Sequence, residues 1–197
     1  MAENKTISYY NSNAKRFAEE TLFADFEFIQ KIFTDKLPDK AVLLDFGCGS
    51  GRDTRYFMKQ GFQVDAIDGS VNLCKLASRY TGIEVKNILF HELAETGKYD
   101  GIWACSSILH LPVNELANVM EKMIIALRDN GIIYTSFKYG TFAGYRNGRY
   151  FTDMTENTFA GFIGQINNVI TEEQWVSPDV RQGREEEKWL NIILRKK

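Results

Sequence analysis

Histidine and cysteine are scarce in this chain, which has two histidines, His91 and His110, and three cysteines, Cys48, Cys74 and Cys105. The cysteines lie far apart with no Cys-x-x-Cys pair. That argues against a zinc ribbon or a disulfide frame and suits free thiols in a reducing cytoplasm. Two histidines cannot build a histidine-rich metal centre, so no metal ligand is assigned. No run approaches the ~18 consecutive apolar residues of a membrane span. The opening MAENKTISYYNSNAKRFAEE has neither the apolar core nor the cleavage pattern of a signal peptide. An excess of positive charge is missing too: a net charge of -2 argues against a surface built mainly for nucleic acid. With 44% hydrophobic residues among 197, the chain reads as one globular domain, 1–197.

What is present is alternation. Leu22, Phe26, Ile29, Phe33 and Leu37 recur at three- and four-residue steps, predicting one amphipathic helix that Pro38 and Asp39 end. Strands are expected at 41–46, 62–67, within 83–90, at 100–105 and at 132–137. Helices fall between them, at 52–60 before Gly61, from Ser70 to about Tyr80, and from Pro112 to Leu127. Asn130 and Gly131 read as the turn into the fifth strand. Strands alternating with helices imply a parallel sheet covered on both faces. The end breaks this rhythm. Asp153 and Glu156 have the spacing of a capping box for a helix with Phe159, Phe162 and Ile163 on its buried face. Strands at 168–176 and 188–194, joined by SPDVRQGREEE with no room for a crossover, must pair antiparallel.

The stretch VLLDFGCGSGRD, from Val42 to Asp53, packs Gly47, Gly49 and Gly51 into the first strand-to-helix loop. In a doubly wound sheet this loop lies where strand order reverses and ligands bind. A nicotinamide fingerprint would need glycine where Arg52 stands, and the P-loop lysine is missing. Asp45, leading the loop, suits a ligand with an ammonium group. Asp68, at the end of the second strand, suits a ribose diol, whose two hydroxyls match two carboxylate oxygens. An amino acid at one end and a ribose at the other describe S-adenosyl-L-methionine.

The segments LLDFGCGSGRD, VDAIDGS, YDGIWACSSILHLP and LRDNGIIYTSFKYG resemble the successive motifs of class I S-adenosylmethionine-dependent methyltransferases. Within that superfamily they are most similar to small bacterial tellurite-resistance-type and generic methyltransferases. The resemblance implies an α/β, Rossmann-like fold. It would have a seven-stranded, mostly parallel sheet, a C-terminal antiparallel hairpin and helices on both faces. It places Gly47, Cys48 and Gly49 at the methionine part of the cofactor, with Asp45 near the ammonium. Asp68, Gly69 and Ser70 would hold the ribose, and Leu89 and Phe90 would flank the adenine. Relatives carry an aspartate where this chain has Leu89. Cys105 and Ser106 would lie beside the sulfonium. Tyr10 and Arg16 belong to an N-terminal helical lid, 1–37.

Two elements remain for the acceptor. His110, in SSILHLP, either faces the substrate as a base or bonds a backbone carbonyl and shapes the loop. The segment KYGTFAGYRNGRYFT, 138–152, holds three cations, Lys138, Arg146 and Arg149, and no acid. Its glycines argue for a mobile flap. With Tyr150, those cations are expected to clamp a small anionic substrate for in-line methyl transfer. A nucleic-acid end is the alternative partner, and a non-catalytic cofactor-binding protein the alternative class.

Overall fold

A computed structural model describes residues 4–181 and 183–197. The first three residues of the expected lid and Gln182 of the expected C-terminal turn lie outside the described residues. Two helices open the chain, α1 (Lys5–Thr21) and α2 (Glu27–Thr34). Then β1 (Val42–Phe46), α3 (Arg52–Lys59), β2 (Gln63–Asp68), α4 (Val71–Thr81), β3 (Val85–Asn87) and β4 (Tyr99–Ala104) alternate. They are followed by α5 (Val113–Ala126), β5 (Leu127–Lys138), a hairpin of β6 (Ala143–Arg146) and β7 (Arg149–Thr152), α6 (Glu156–Ile163), β8 (Val169–Pro178) and β9 (Lys188–Lys196). Seven strands form one sheet in the order β3-β2-β1-β4-β5-β9-β8, with β9 antiparallel to both neighbours. The expected fold class is therefore the observed one.

Strand periodicity explains the two-sided core. Successive side chains of a strand point to opposite faces, so Ile102 and Ala104 of β4 join one apolar cluster while Trp103 joins another. On β9, Ile192 and Leu194 go to the first cluster and Ile193 to the second. The first cluster is closed by α5 and α6, through Leu116, Met120, Phe159 and Phe162. The second is closed by α2 and α3, through Ile29, Phe33 and Phe57. There Phe33 packs on Trp103 at 5.1 Å, and Trp103 stacks on Tyr134 at 4.1 Å and 17°.

Four local expectations are corrected. The single helix read over 22–37 is broken. Leu22 closes α1, and Asp25 accepts a hydrogen bond from the Glu27 N–H (3.0 Å) at the start of α2. Asn130 and Gly131 do not precede β5 but sit inside it. Tyr99 pairs with Leu127 and Gly101 with Ile132, so the intervening residues bulge out. The capping box of α6 is Thr155 with Thr158, because the Asp153 carboxylate is drawn to Arg146 instead. The 138–152 segment is a hairpin. Asn147 (φ 50°) and Gly148 (φ 79°) both take the left-handed conformation, which a tight two-residue turn requires.

Phe33 is fully buried between α3 and the sheet. Phe33→Ala should lower unfolding free energy by about 3–5 kcal/mol, the usual cost of emptying an aromatic site. Urea titration checks this, with the midpoint falling and the slope unchanged.

Candidate active site

A cleft of about 950 Å³ opens at the carboxyl ends of the strands. Its floor begins at the β1–α3 loop. Gly47, Gly49 and Gly51 all have positive φ (86°, 55° and 81°). A Cβ at Gly47 would lie 2.6 Å from Ser107 Cβ, and one at Gly51 2.8 Å from Thr81 Cγ2. The atoms that exclude side chains here are thus the protein's own. The loop is folded tightly so that its N–H groups can point elsewhere. The Gly49 N–H donates to Asp68 Oδ2 (2.9 Å), and the Ser70 N–H donates to Asp68 Oδ1 (2.8 Å). Each carboxylate oxygen keeps a further lone pair, and Asp68 lines the cleft. Burial pushes its pKa up to about 6, against the two backbone donors that favour the charged form.

Gly69, Leu89, Phe90, Cys105 and Ser106 also line the cleft. Leu89 packs against it, but its N–H is taken by Glu92 (2.7 Å). Phe90 packs on Phe46 at 4.7 Å. Ser106, a non-glycine residue at φ 52°, lies in the turn just after β4, and its N–H donates to Ser136 Oγ (2.9 Å). Such conformations cost free energy and cluster where backbone must be aimed. Burial pushes the Cys105 thiol up to about 12 and raises Cys48 well above its ordinary value, so both stay protonated fillers.

Asp45 and Ser70 do not line the cleft. The Asp45 carboxylate turns under the loop, where Thr54 Oγ1 donates to it at 2.5 Å. Burial, and then the charge of Asp53, raises its pKa to about 8. The Ser70 hydroxyl caps α4 and bonds Asn11 (2.7 Å). The carboxylate that does line the cleft beside the loop is Asp53, which accepts from Arg52, Gln30 (2.6 Å) and Trp103 Nε1 (2.9 Å). Burial alone would raise Asp53, yet Arg52 and the other donors outweigh it and hold the carboxyl below its usual range. Only its position at the start of α3 could have hinted at this.

Across the cleft, α1 forms a wall with Tyr10, Arg16 and Phe17. Arg16 is largely exposed, with Asn13 and Glu20 as partners. His110 lies in a one-turn helix after β4, its Nδ1 2.6 Å from the Tyr150 carbonyl and its Nε2 2.7 Å from the Tyr10 hydroxyl. His110 thus bonds a backbone carbonyl, as one of its two readings expected, and also lines the cleft. Burial pushes its pKa down to about 4; the Tyr150 carbonyl opposes this, and the charges of Arg149 and Arg146 add to the fall. Tyr150 itself contributes backbone, not its ring.

The three expected clamp cations part company. Arg146 makes two hydrogen bonds to Asp153 (2.8 and 2.6 Å). Lys138 pairs with Glu187 and Asp179, above the Trp189 ring. Arg149 lies over Tyr9 at 4.7 Å and Phe151 at 5.1 Å, and among the described residues no carboxylate pairs with it. Its buried Nε has no hydrogen-bond partner.

A model of the family described as a methyltransferase domain matches residues 11–175. The chain belongs to that family. It is 30% identical over 118 residues to the N-terminal Xaa-Pro-Lys N-methyltransferase 1-A of Xenopus laevis, a stretch covering 54% of this chain and 53% of that protein. The mouse N-terminal Xaa-Pro-Lys N-methyltransferase 1 matches at 33% over 118 residues, 54% of this chain and 52% of that protein. The chain thus spans about half the length of the curated relatives it matches. Among solved structures, the 1,6-didemethyltoxoflavin-N1-methyltransferase of Burkholderia thailandensis, with bound S-adenosylhomocysteine, superposes with a TM-score of 0.76 at 22% identity. That match covers 96% of this chain and 84% of that one. The magnesium protoporphyrin IX methyltransferase of Synechocystis, with bound S-adenosylmethionine, gives 0.69 at 16%, covering 100% and 99%. At these identities the likeness is one of fold.

The residues present fit S-adenosylmethionine, the molecule bound in the Synechocystis structure. Asp68 offers two buried oxygens to a diol, and Leu89 and Phe90 offer an apolar wall. A hydroxyl donates best to the ionised carboxylate, so cofactor affinity should weaken as pH falls through about 6, where Asp68 gains its proton. Asp68→Asn should bind about 10- to 100-fold more weakly, as expected for hydrogen bonds to a charged group, and lose that pH dependence. Calorimetry between pH 5 and 7.5 checks both.

Proposed function

We propose that the chain transfers the methyl group of S-adenosylmethionine to a small anionic acceptor anchored by Arg149. The single supporting observation is the isolation of that guanidinium. Arg52, Lys138, Arg146 and Arg181 also line the cleft, and each is paired with a carboxylate. A half-buried cation without a counter-charge carries part of the cost of desolvation, and an acceptor carboxylate or oxyanion on Arg149 offsets that cost. The planar fork of arginine also fixes such a group in orientation.

The cofactor supplies an already activated methyl, so the chain's work is to position, to exclude water and to take up a proton. Ser106 and its neighbours lie just after β4, beneath the acceptor. The α1 wall and the β6–β7 hairpin enclose it from opposite sides, joined where the Tyr150 N–H donates to Thr6 Oγ1 (3.0 Å). The group presented to the acceptor is the Tyr10 hydroxyl, with His110 behind it. His110 thus keeps a role in proton transfer at one remove. The motif resemblance to tellurite-resistance-type enzymes keeps an oxyanion or a heavier chalcogen within this acceptor class. A nucleic-acid acceptor fits less well, because Lys138 and Arg146 are already neutralised within the protein.

A second reading, methylation of a peptide amino terminus, draws on the similarity to the N-terminal Xaa-Pro-Lys N-methyltransferases. A cationic peptide would meet Arg149 with like charge, which favours the first reading. Labelled cofactor and a metabolite extract, followed by mass spectrometry, identify the acceptor. With it, Arg149→Met should raise KM about 10- to 100-fold, the weight of hydrogen bonds to a charged group. Cofactor affinity should stay within about twofold. An acceptor lacking an anionic group, an unchanged KM, or labelled peptide alone would overturn the anionic reading. Binding without any transferred label would leave a non-catalytic cofactor-binding protein.

A further inference from the structure

The surroundings of His110 contain an apparent contradiction. A carbonyl oxygen can only accept, so His110 Nδ1, 2.6 Å from the Tyr150 carbonyl, carries the hydrogen. Nε2 is then the lone-pair nitrogen, and the Tyr10 hydroxyl donates to it. Having given its hydrogen inward, the Tyr10 oxygen keeps its lone pairs for the cleft. That arrangement is a proton path from the cleft to Nε2. Yet an Arg149 nitrogen stands 3.4 Å from the same Tyr10 oxygen. The charged groups facing this pair are Arg149 on β7 and Arg146 on β6, with the Asp68 carboxylate at the end of β2 acting on Tyr10 from the far side. Tyr9 and Tyr10 on α1, and Phe151 on β7, complete the packing around them. Asp153 cancels Arg146. Nothing among the described residues cancels Arg149, so the path ends beside an uncompensated positive charge.

The acceptor inferred above resolves this. We propose that the acceptor's own anionic group, seated on Arg149, arms the Tyr10–His110 pair, so that only acceptors carrying both an anionic group and an ionisable X–H are deprotonated and methylated. The acceptor X–H bond breaks with its electron pair left on X, and Tyr10 takes the proton as it passes its own to Nε2. X forms its bond to the methyl carbon, and the methyl–sulfur pair returns to sulfur, which loses its positive charge. The imidazolium, still bonded to Tyr150, gives its proton to water when the cleft opens. An acceptor lacking the anionic group leaves Arg149 uncompensated and the pair unarmed, and water in the cleft is in the same position. The inference rests on the anionic-acceptor reading, and the experiment separates the two.

The chain's two histidines make the test direct. The full chain, labelled with nitrogen-15 at histidine and saturated with S-adenosylhomocysteine, is titrated from pH 3.5 to 8 with and without inorganic sulfate. His91 serves as internal standard. Calorimetry measures sulfate binding in parallel on wild type and Arg149→Met. Sulfate should raise the His110 midpoint by about one pH unit or more, the scale of a neighbouring charge. Arg149→Met should show a raised midpoint without sulfate and no further shift with it. Arg149-dependent sulfate binding with an unmoved His110 overturns the arming step and leaves the anionic reading standing. Sulfate binding that is absent, or indifferent to Arg149→Met, overturns both. Should Arg149→Met fail to fold, Arg149→Gln takes its place, and the wild-type comparison decides the arming step.

Discussion

One buried carboxylate ties the floor of the cleft together. Asp53 accepts from Gln30 on α2, from Arg52 beside it and from Trp103 on β4. Trp103 stacks on Tyr134 of β5, whose hydroxyl donates to Asn191 of β9 (2.7 Å). Helix, loop and three strands are thereby joined in one path directly beneath the ligand. A buried ion pair of this kind adds little net stability, because desolvation offsets its attraction, but losing one partner is severe. Its use here is register. It holds the start of α3, and so the end of the glycine loop, against the strand that leads into Ser106.

Above this floor, charge is distributed unevenly with a clear consequence. Beside the glycine loop lies one buried carboxylate, Asp68, with spare acceptor capacity. Toward the hairpin lies a guanidinium, Arg149, that no carboxylate pairs with among the described residues. Several other cations of the cleft are matched within the protein, as with Lys138 and the pair formed by Arg181 and Asp179, while Lys188 is exposed at its edge. In a site poor in water such contrasts are amplified, since electrostatic interactions strengthen as the effective dielectric falls. What distinguishes one part of the cleft from another is therefore the position of charge and not its amount. This agrees with a chain whose net charge is close to zero.

The walls come from three segments distant in sequence. The α1 helix meets α4 through Asn11 and Ser70, the hairpin through Thr6 and Tyr150, and the post-β4 turn through Tyr10 and His110. Each contact includes a hydrogen bond, and the Tyr10 and His110 rings also pack edge to face at 5.5 Å. Such contacts contribute modestly and are easily exchanged for water, which suits walls that must part for ligands. Beneath them the two apolar clusters remain continuous.

The sheet and much of the cleft's floor were legible in the sequence for local reasons. Strand alternation, the glycine spacing and the placement of Asp68 after a strand are short-range patterns with one physical solution each. The hairpin carried such a signal too, since Asn147 and Gly148 between two short runs suit a tight turn, though the glycines around it read as mobility. Charge partnership did not show in the local pattern. Lys138 finds Glu187 49 positions away, and Tyr10 finds His110 100 positions away. Arg146 and Arg149 have the same chemistry three residues apart, and their sequence surroundings do not distinguish them. Because β6 and β7 fold against each other, one meets Asp153 and the other is left facing the cleft. Sequence determined which residues could carry charge there; the packing of distant segments decided which charge stays unpaired, because a salt bridge depends on separation in space and not along the chain.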